Sequence, residues 1–232
     1  QEKSAYKDWF MVDSWRDAAK GTKFEYQGWF GVKTLPEFKE DGNGIVSGPK
    51  TYIFDATKRW MNPMNKGAKY GIDGWRLDVA YCIAHPFWKD WRNEVKSINS
   101  EAYLTAELVD PIDKTKPYLN GDEFDATMNY NFSFLVHDFF VQDAKGISVT
   151  QFDTQLKELR EGFGEGVAQN MQNLVGSHDA TRIGSAVANP DGKKFSEWGA
   201  YFNSSQKSNN IDYNARKPTD KQLEKQNLIA AF

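Results

Sequence analysis

Short glycine-punctuated apolar runs alternate with stretches of helical period along this 232-residue chain, and that alternation limits its fold more than any other feature. In residues 71–80, GIDGWRLDVA, Gly71 and Gly74 precede an apolar run that reads as a buried strand. Over 85–99, Phe87, Trp88, Trp91, Val95 and Ile98 fall on one face of a helix. Residues 102–109, AYLTAELV, read as the next strand, and about 124–132, FDATMNYNF, as another. Phe152, Leu156, Leu159 and Phe163 mark a helix that Gly164 and Gly166 help end, and 171–177, MQNLVGS, is a fourth strand. Strands alternating with helices predict a parallel sheet with helical crossovers, and therefore an α/β fold. Four strands rather than eight leave two forms open, a partial (β/α)8 barrel or a smaller open sheet.

The flanks are less regular. Residues 1–48 are loop-rich, yet Trp9, Phe10, Trp15, Trp29 and Phe30 call for burial, so the segment reads as an excursion between core elements. A helix is expected over about 49–69 from Ile53, Phe54, Trp60, Met61 and Met64, with Pro63 bending or ending it. Residues 180–218 are polar and irregular. A last helix starts at Thr219, with Gln222 as its capping-box partner.

Composition removes several classes of function. The net charge is −3 with both signs interspersed, so no basic stripe marks a nucleic-acid surface. A lone Cys82 excludes an intrachain disulfide and a cysteine-rich zinc site. No apolar run is long enough for a membrane span, and the first residues show no signal-peptide pattern. Aromatic residues make up 15% of the chain; core packing accounts for most of them, with sugar-ring faces as the other use.

Asp78, Glu107 and Asp179 sit at or just past the C-terminal ends of predicted strands, where barrel and open-sheet active sites assemble. Strand-end acids are also common as solvated or capping groups, so the argument rests on the three together. Arg76 and Asp78, two apart on a strand, share a face, while Leu77 and Val79 face the helix layer. A guanidinium there favours the ionised carboxylate that a nucleophile requires, although a structural ion pair gives the same pattern. Apolar Ala106, Leu108 and Val109 around Glu107 favour a protonated carboxyl, which suits a general acid. Two carboxyl groups in contrasting surroundings are the pattern of a glycosidase pair. His178 and Asp179 follow VGS; strict alternation opposes their faces, so at least one lies beyond the strand. Both can bond ring hydroxyls. His85 and His137 read as structural.

GIDGWRLDVA, AYLTAELV, the GDEFDATMNYNF stretch and NLVGSHDATR occur in an order and spacing that resemble the α-amylase family of glycoside hydrolases, with AYKDWF and FWKDWRNEVK resembling its neopullulanase, cyclomaltodextrinase and maltogenic amylase branch. The resemblance covers essentially the whole chain. It implies a retaining enzyme acting on α-linked glucans, with Asp78 as nucleophile, Glu107 as acid/base, and Asp179 binding and distorting the sugar. Arg76 would orient Asp78, and His178 would touch hydroxyls of the same sugar. The predicted strands would be the fourth to seventh of a (β/α)8 barrel, residues 1–48 the excursion after the third strand, and 49–232 the central part of the catalytic barrel. The family's first motif and eighth strand are not in the chain, which is therefore expected to be a fragment, inactive alone. Tyr81-Cys82 stands where the branch usually has Asn-Glu, and Leu108-Val109 where an aromatic is usual, so bond and substrate preference are not implied. No cofactor is required; calcium often accompanies the family, and no residue here is assigned to it. A periplasmic or secreted and a cytoplasmic location both fit.

Two rivals differ in class. A metal-dependent barrel enzyme would bind magnesium with acids at successive strand ends, but the step from Glu107 to Asp179 skips a strand. A non-catalytic sugar-binding or scaffold homologue would share the fold without the chemistry.

Overall fold

A computed structural model describes residues 3–144, 146–190 and 216–232. By internal contacts the chain divides into two units, one of residues 1–76 and 80–104, the other of 77–79 and 105–232.

The first unit begins with two antiparallel ribbons, short because glycine and charged residues interrupt every apolar run. Strands β1 (Val12–Ser14) and β2 (Glu25–Tyr26) pair Val12 with Tyr26 and Ser14 with Glu25. Strands β3 (Glu40–Asp41) and β4 (Gly44–Ile45) close a hairpin whose turn is held by the Asn43 N–H donating to the Asp41 carboxylate at 2.7 Å. Trp9, Phe10, Trp15 and Trp29 are half-buried, whereas Phe30 is 69% exposed, contrary to the burial its ring calls for. The turn explains this: Phe30 has φ of 50° between Gly28 and Gly31, in the left-handed region, and its ring leaves the core.

Helix α1 (Ser47–Met61) stops eight residues before the predicted end. Pro63 cannot donate to the preceding turn, and Met64 and Asn65 both take left-handed φ. The Asn62 side chain then accepts from the Gly67 N–H at 2.8 Å and folds the chain back. Gly71 lies so close to the end of α1 that a Cβ there would stand 2.0 Å from the Met61 carbonyl oxygen. Helix α2 (His85–Ile98) has Pro86 in its first turn and buries Phe87, Trp88, Trp91 and Val95, each worth roughly 1.5–3 kcal/mol. It is pinned to α1 by the Trp91 indole N–H donating to Thr57 Oγ1 at 3.0 Å and by the Lys58–Glu94 and Lys50–Asp90 ion pairs.

The sheet that organises the rest has four strands in sequence order: β5 (Gly74–Leu77), β6 (Tyr103–Ala106), β7 (Ala126–Asn129) and β8 (Gln172–Asn173). Strands β6, β7 and β8 pair in parallel. A Cβ on Gly74 would lie 2.1 Å from the Tyr103 carbonyl oxygen, so only glycine fits there. All four strands are shorter than the apolar runs that predict them. The residues beyond each C-terminal end leave the ladder for loops or helices; Tyr130, for example, opens helix α4 (Tyr130–Val136) instead of extending β7.

Besides α4 the helices of the second unit are α3 (Ile112–Thr115), α5 (Val149–Phe163), α6 (Glu165–Asn170), α7 (Ile183–Val187) and α8 (Asp220–Ala231). Of these α5 and α8 follow their sequence signals, whereas α3, α4, α6 and α7 are helices the sequence did not announce, α7 lying in the stretch 180–218 that reads as irregular. Ser148 caps α5 and Thr219 caps α8, each with the glutamine three residues on returning the bond. Val136, Val141, Ala186, Val187 and Ile229 form one buried cluster. Of the irregular stretch 180–218, residues 191–215 lie outside the described residues. Among the described residues no helix is long and apolar enough to cross a membrane.

Candidate active site

Asp78, Glu107 and Asp179 all belong to the second unit, and backbone geometry ties the first two together. The Glu107 N–H donates to the Leu77 carbonyl at 2.9 Å, and the Val79 N–H donates to Glu107 Oε2 at 3.0 Å. Asp78 is the residue between those two contacts. Its side chain is exposed, whereas Glu107 is only 7% exposed beside the buried Ala106, Leu108 and Val109. The contrast in surroundings expected of the pair is thus present in their burial.

Val79 takes a conformation the sequence does not reveal. Its φ of 44° lies in the left-handed region, a genuine outlier for a β-branched side chain. Strand β5 ends at Leu77, so the expected alternation of Leu77 and Val79 toward the helix layer does not reach Val79. The strained turn instead aims the Val79 N–H at the Glu107 carboxylate. Strain of this kind clusters at functional sites.

Asp179 reaches the same end of the sheet by a different route. Its N–H donates to Ser177 Oγ at 3.1 Å, and Ser177 Oγ lies 3.4 Å from the hydroxyl of buried Tyr130, the residue directly after β7. Ala180, next to Asp179, shares an apolar cluster with Val109, two residues past Glu107, and with Met128 and Tyr130. Both His178 and Asp179 lie beyond β8, and instead of diverging they touch, His178 Nε2 to Asp179 Oδ2 at 2.9 Å. Arg76 is the third residue of β5, half-buried, two positions before Asp78. Val79, Ser177 and Tyr130, which bond to these acids or to each other, were not among the candidates the sequence offered. Only Ser177, adjacent to the His-Asp pair, carried a signal.

Other titratable groups narrow the chemistry. Burial pushes the Asp110 carboxyl up, with Asp113 adding and Lys114 opposing; its carbonyl accepts from Asn131 Nδ2 at 3.1 Å, which fixes the loop after β6. Burial, then Glu37 and Glu40, push the Cys82 thiol up, which disfavours a thiolate nucleophile. His137 is the structural histidine its sequence position suggests. Burial holds its proton affinity down against the opposing effect of the Val175 carbonyl, to which Nε2–H donates at 2.9 Å. Among the described residues no group of three or more His, Cys, Asp or Glu side chains converges to hold a metal.

Parallel strands with acids beyond their C-terminal ends are the arrangement of the α/β-barrel class. Comparison with known proteins identifies the family. Residues 1–211 match the family described as alpha amylase, catalytic domain, and the chain belongs to that family. Neopullulanase 2 of Thermoactinomyces vulgaris is 34% identical over 183 residues, 78% of this chain and 28% of that protein. A cyclomaltodextrinase of a Bacillus species is 34% identical over 190 residues, 75% of this chain and 32% of that protein. The solved cyclic α-maltosyl-(1→6)-maltose hydrolase of Arthrobacter globiformis superposes with a TM-score of 0.66 at 31% identity, covering 81% of this chain and 39% of that one. The chain thus spans 28% and 32% of the length of these two curated relatives.

Proposed function

We propose that this chain carries the catalytic carboxylates of a retaining hydrolase of α-linked glucans. The observation that carries the reading is the Val79 N–H bond to Glu107 Oε2, which seats a buried carboxyl against the backbone of the exposed Asp78. In this reading Glu107 gives its proton to the glycosidic oxygen while Asp78 attacks the anomeric carbon. The glycosidic bond breaks and a β-linked glycosyl ester forms on Asp78. Glu107 then takes a proton from water, which attacks the same carbon, breaks its ester bond to Asp78, releases the free carboxylate and restores the α configuration. Asp179, backed by His178, binds hydroxyls of the reacting sugar and opposes positive charge on its ring. Arg76, two residues earlier on the strand, orients Asp78.

Names of the relatives, neopullulanase and cyclomaltodextrinase, support α-glucans as the substrate class. Maltoheptaose, β-cyclodextrin and pullulan offered to the intact protein test the reading. Asp78→Asn and Glu107→Gln should each abolish turnover of whichever substrates the wild type cleaves, while sugar binding persists. No wild-type turnover on any of the three, with binding retained, would leave a sugar-binding homologue in its place.

A further inference from the structure

The first unit holds a cleft of about 770 Å³, within the size range of ligand sites, and no catalytic residue lines it. A run of aromatic rings lines it. Trp15 and Phe24 have centroids 5.3 Å apart, and Phe24 and Tyr26 are stacked at 5.4 Å. Tyr6 and Thr34 also line it. Among the described residues, the Trp15 indole N–H, the Tyr6 hydroxyl and the Thr34 hydroxyl make no hydrogen bond, so three polar groups lining the cleft are left for a ligand or water.

Charge decides the class of ligand. No carboxylate lines the cleft, and its two ammonium groups are each matched by a nearby acid, Lys7 by Asp8 at 3.7 Å and Lys33 by Glu25 at 3.9 Å. Lys33 is further engaged over the Tyr26 ring at 5.0 Å. The cleft therefore has no unmatched charge to select an anion or a cation. Flat apolar faces combined with hydroxyl and N–H groups suit a molecule that is apolar on its faces and polar at its edges. A pyranose ring is such a molecule. We infer that this cleft is an oligosaccharide-binding site in the first unit, additional to the one formed around Asp78, Glu107 and Asp179 in the second.

Maltoheptaose is the probe, a choice that rests on the proposed function, and cellohexaose is the second sugar. Calorimetric titration uses the intact protein carrying Asp78→Asn, which prevents turnover. The expected result is two maltoheptaose molecules per protein, falling to one when Trp15→Ala is added. Near-UV circular dichroism checks that the added substitution leaves the fold native. Trp15→Phe keeps a ring face and loses the N–H, and should weaken the same binding event by roughly tenfold or less. One bound sugar with or without Trp15 would overturn the inference. So would loss of all binding in a natively folded Trp15→Ala protein, and so would a cleft that takes an apolar dye but neither sugar. A Trp15-dependent sugar site in a protein whose wild type cleaves no glucan would leave this inference standing and remove the proposed hydrolase.

Discussion

Val79→Pro removes one backbone N–H from the site and nothing that touches a sugar. That N–H donates to Glu107 Oε2 at 3.0 Å, and removing the donor to a buried acceptor costs about 1–3 kcal/mol. At about 1.4 kcal/mol per tenfold, losing it should cut kcat/KM on maltoheptaose by roughly 5- to 150-fold. Proline also cannot adopt a φ of 44°, so Val79→Gly is the necessary control. Glycine keeps the N–H and relieves left-handed strain of about 1–2 kcal/mol. It loses the half-buried side chain and gains about 0.5–1 kcal/mol of unfolded-state freedom, so its stability should stay within about 1 kcal/mol of wild type. Its activity should hold within about threefold. The assay compares maltoheptaose with α-maltosyl fluoride, whose leaving group needs little help from an acid. If Val79 acts by seating Glu107, Val79→Pro loses far more on maltoheptaose than on the fluoride. Equal losses on both substrates, or a proline variant that keeps kcat/KM within about threefold on maltoheptaose, would refute the reasoning.

Two further predictions concern stability. Ser148→Ala removes the cap of α5 and should cost about 1 kcal/mol, a fall in Tm of roughly 2–4 °C by scanning calorimetry. His137 is buried and its proton affinity is depressed below the ordinary 6.5, so the unfolded chain takes up the proton first. The stability it contributes is intact above pH 6.5 and falls as the pH drops below that value. His137→Gln, which retains a donor for the Val175 carbonyl, should flatten that slope in urea unfolding series, and an unchanged slope would assign the pH dependence to other groups.

Where a single local rule governs an element, the sequence and the structure agree. The apolar face of α2 and the capping box at Thr219 depend on residues a few positions apart, and both are found as their spacing predicts. The three carboxylates drew attention for the same reason, as acids at the ends of apolar runs. Strand lengths were not legible. An apolar run continues past the last ladder bond wherever the next residues stay buried, as Leu108, Val109 and Tyr130 do. Phe30 and Val79 were missed because left-handed backbone at a bulky residue is imposed by surrounding contacts, and no propensity announces it. The roles of Ser177 and Tyr130 depend on a bond across 47 positions that no local pattern encodes.

The most direct test of a retaining mechanism through Asp78 is the anomer of the first product. Maltoheptaose, or whichever of the three glucans is cleaved, is followed by proton NMR in the first minutes of reaction, before mutarotation. The account predicts an α-anomer released by the wild type and no product from Asp78→Asn. A β-anomer from the wild type, or an α-anomer still formed at the wild-type rate by Asp78→Asn, would contradict it.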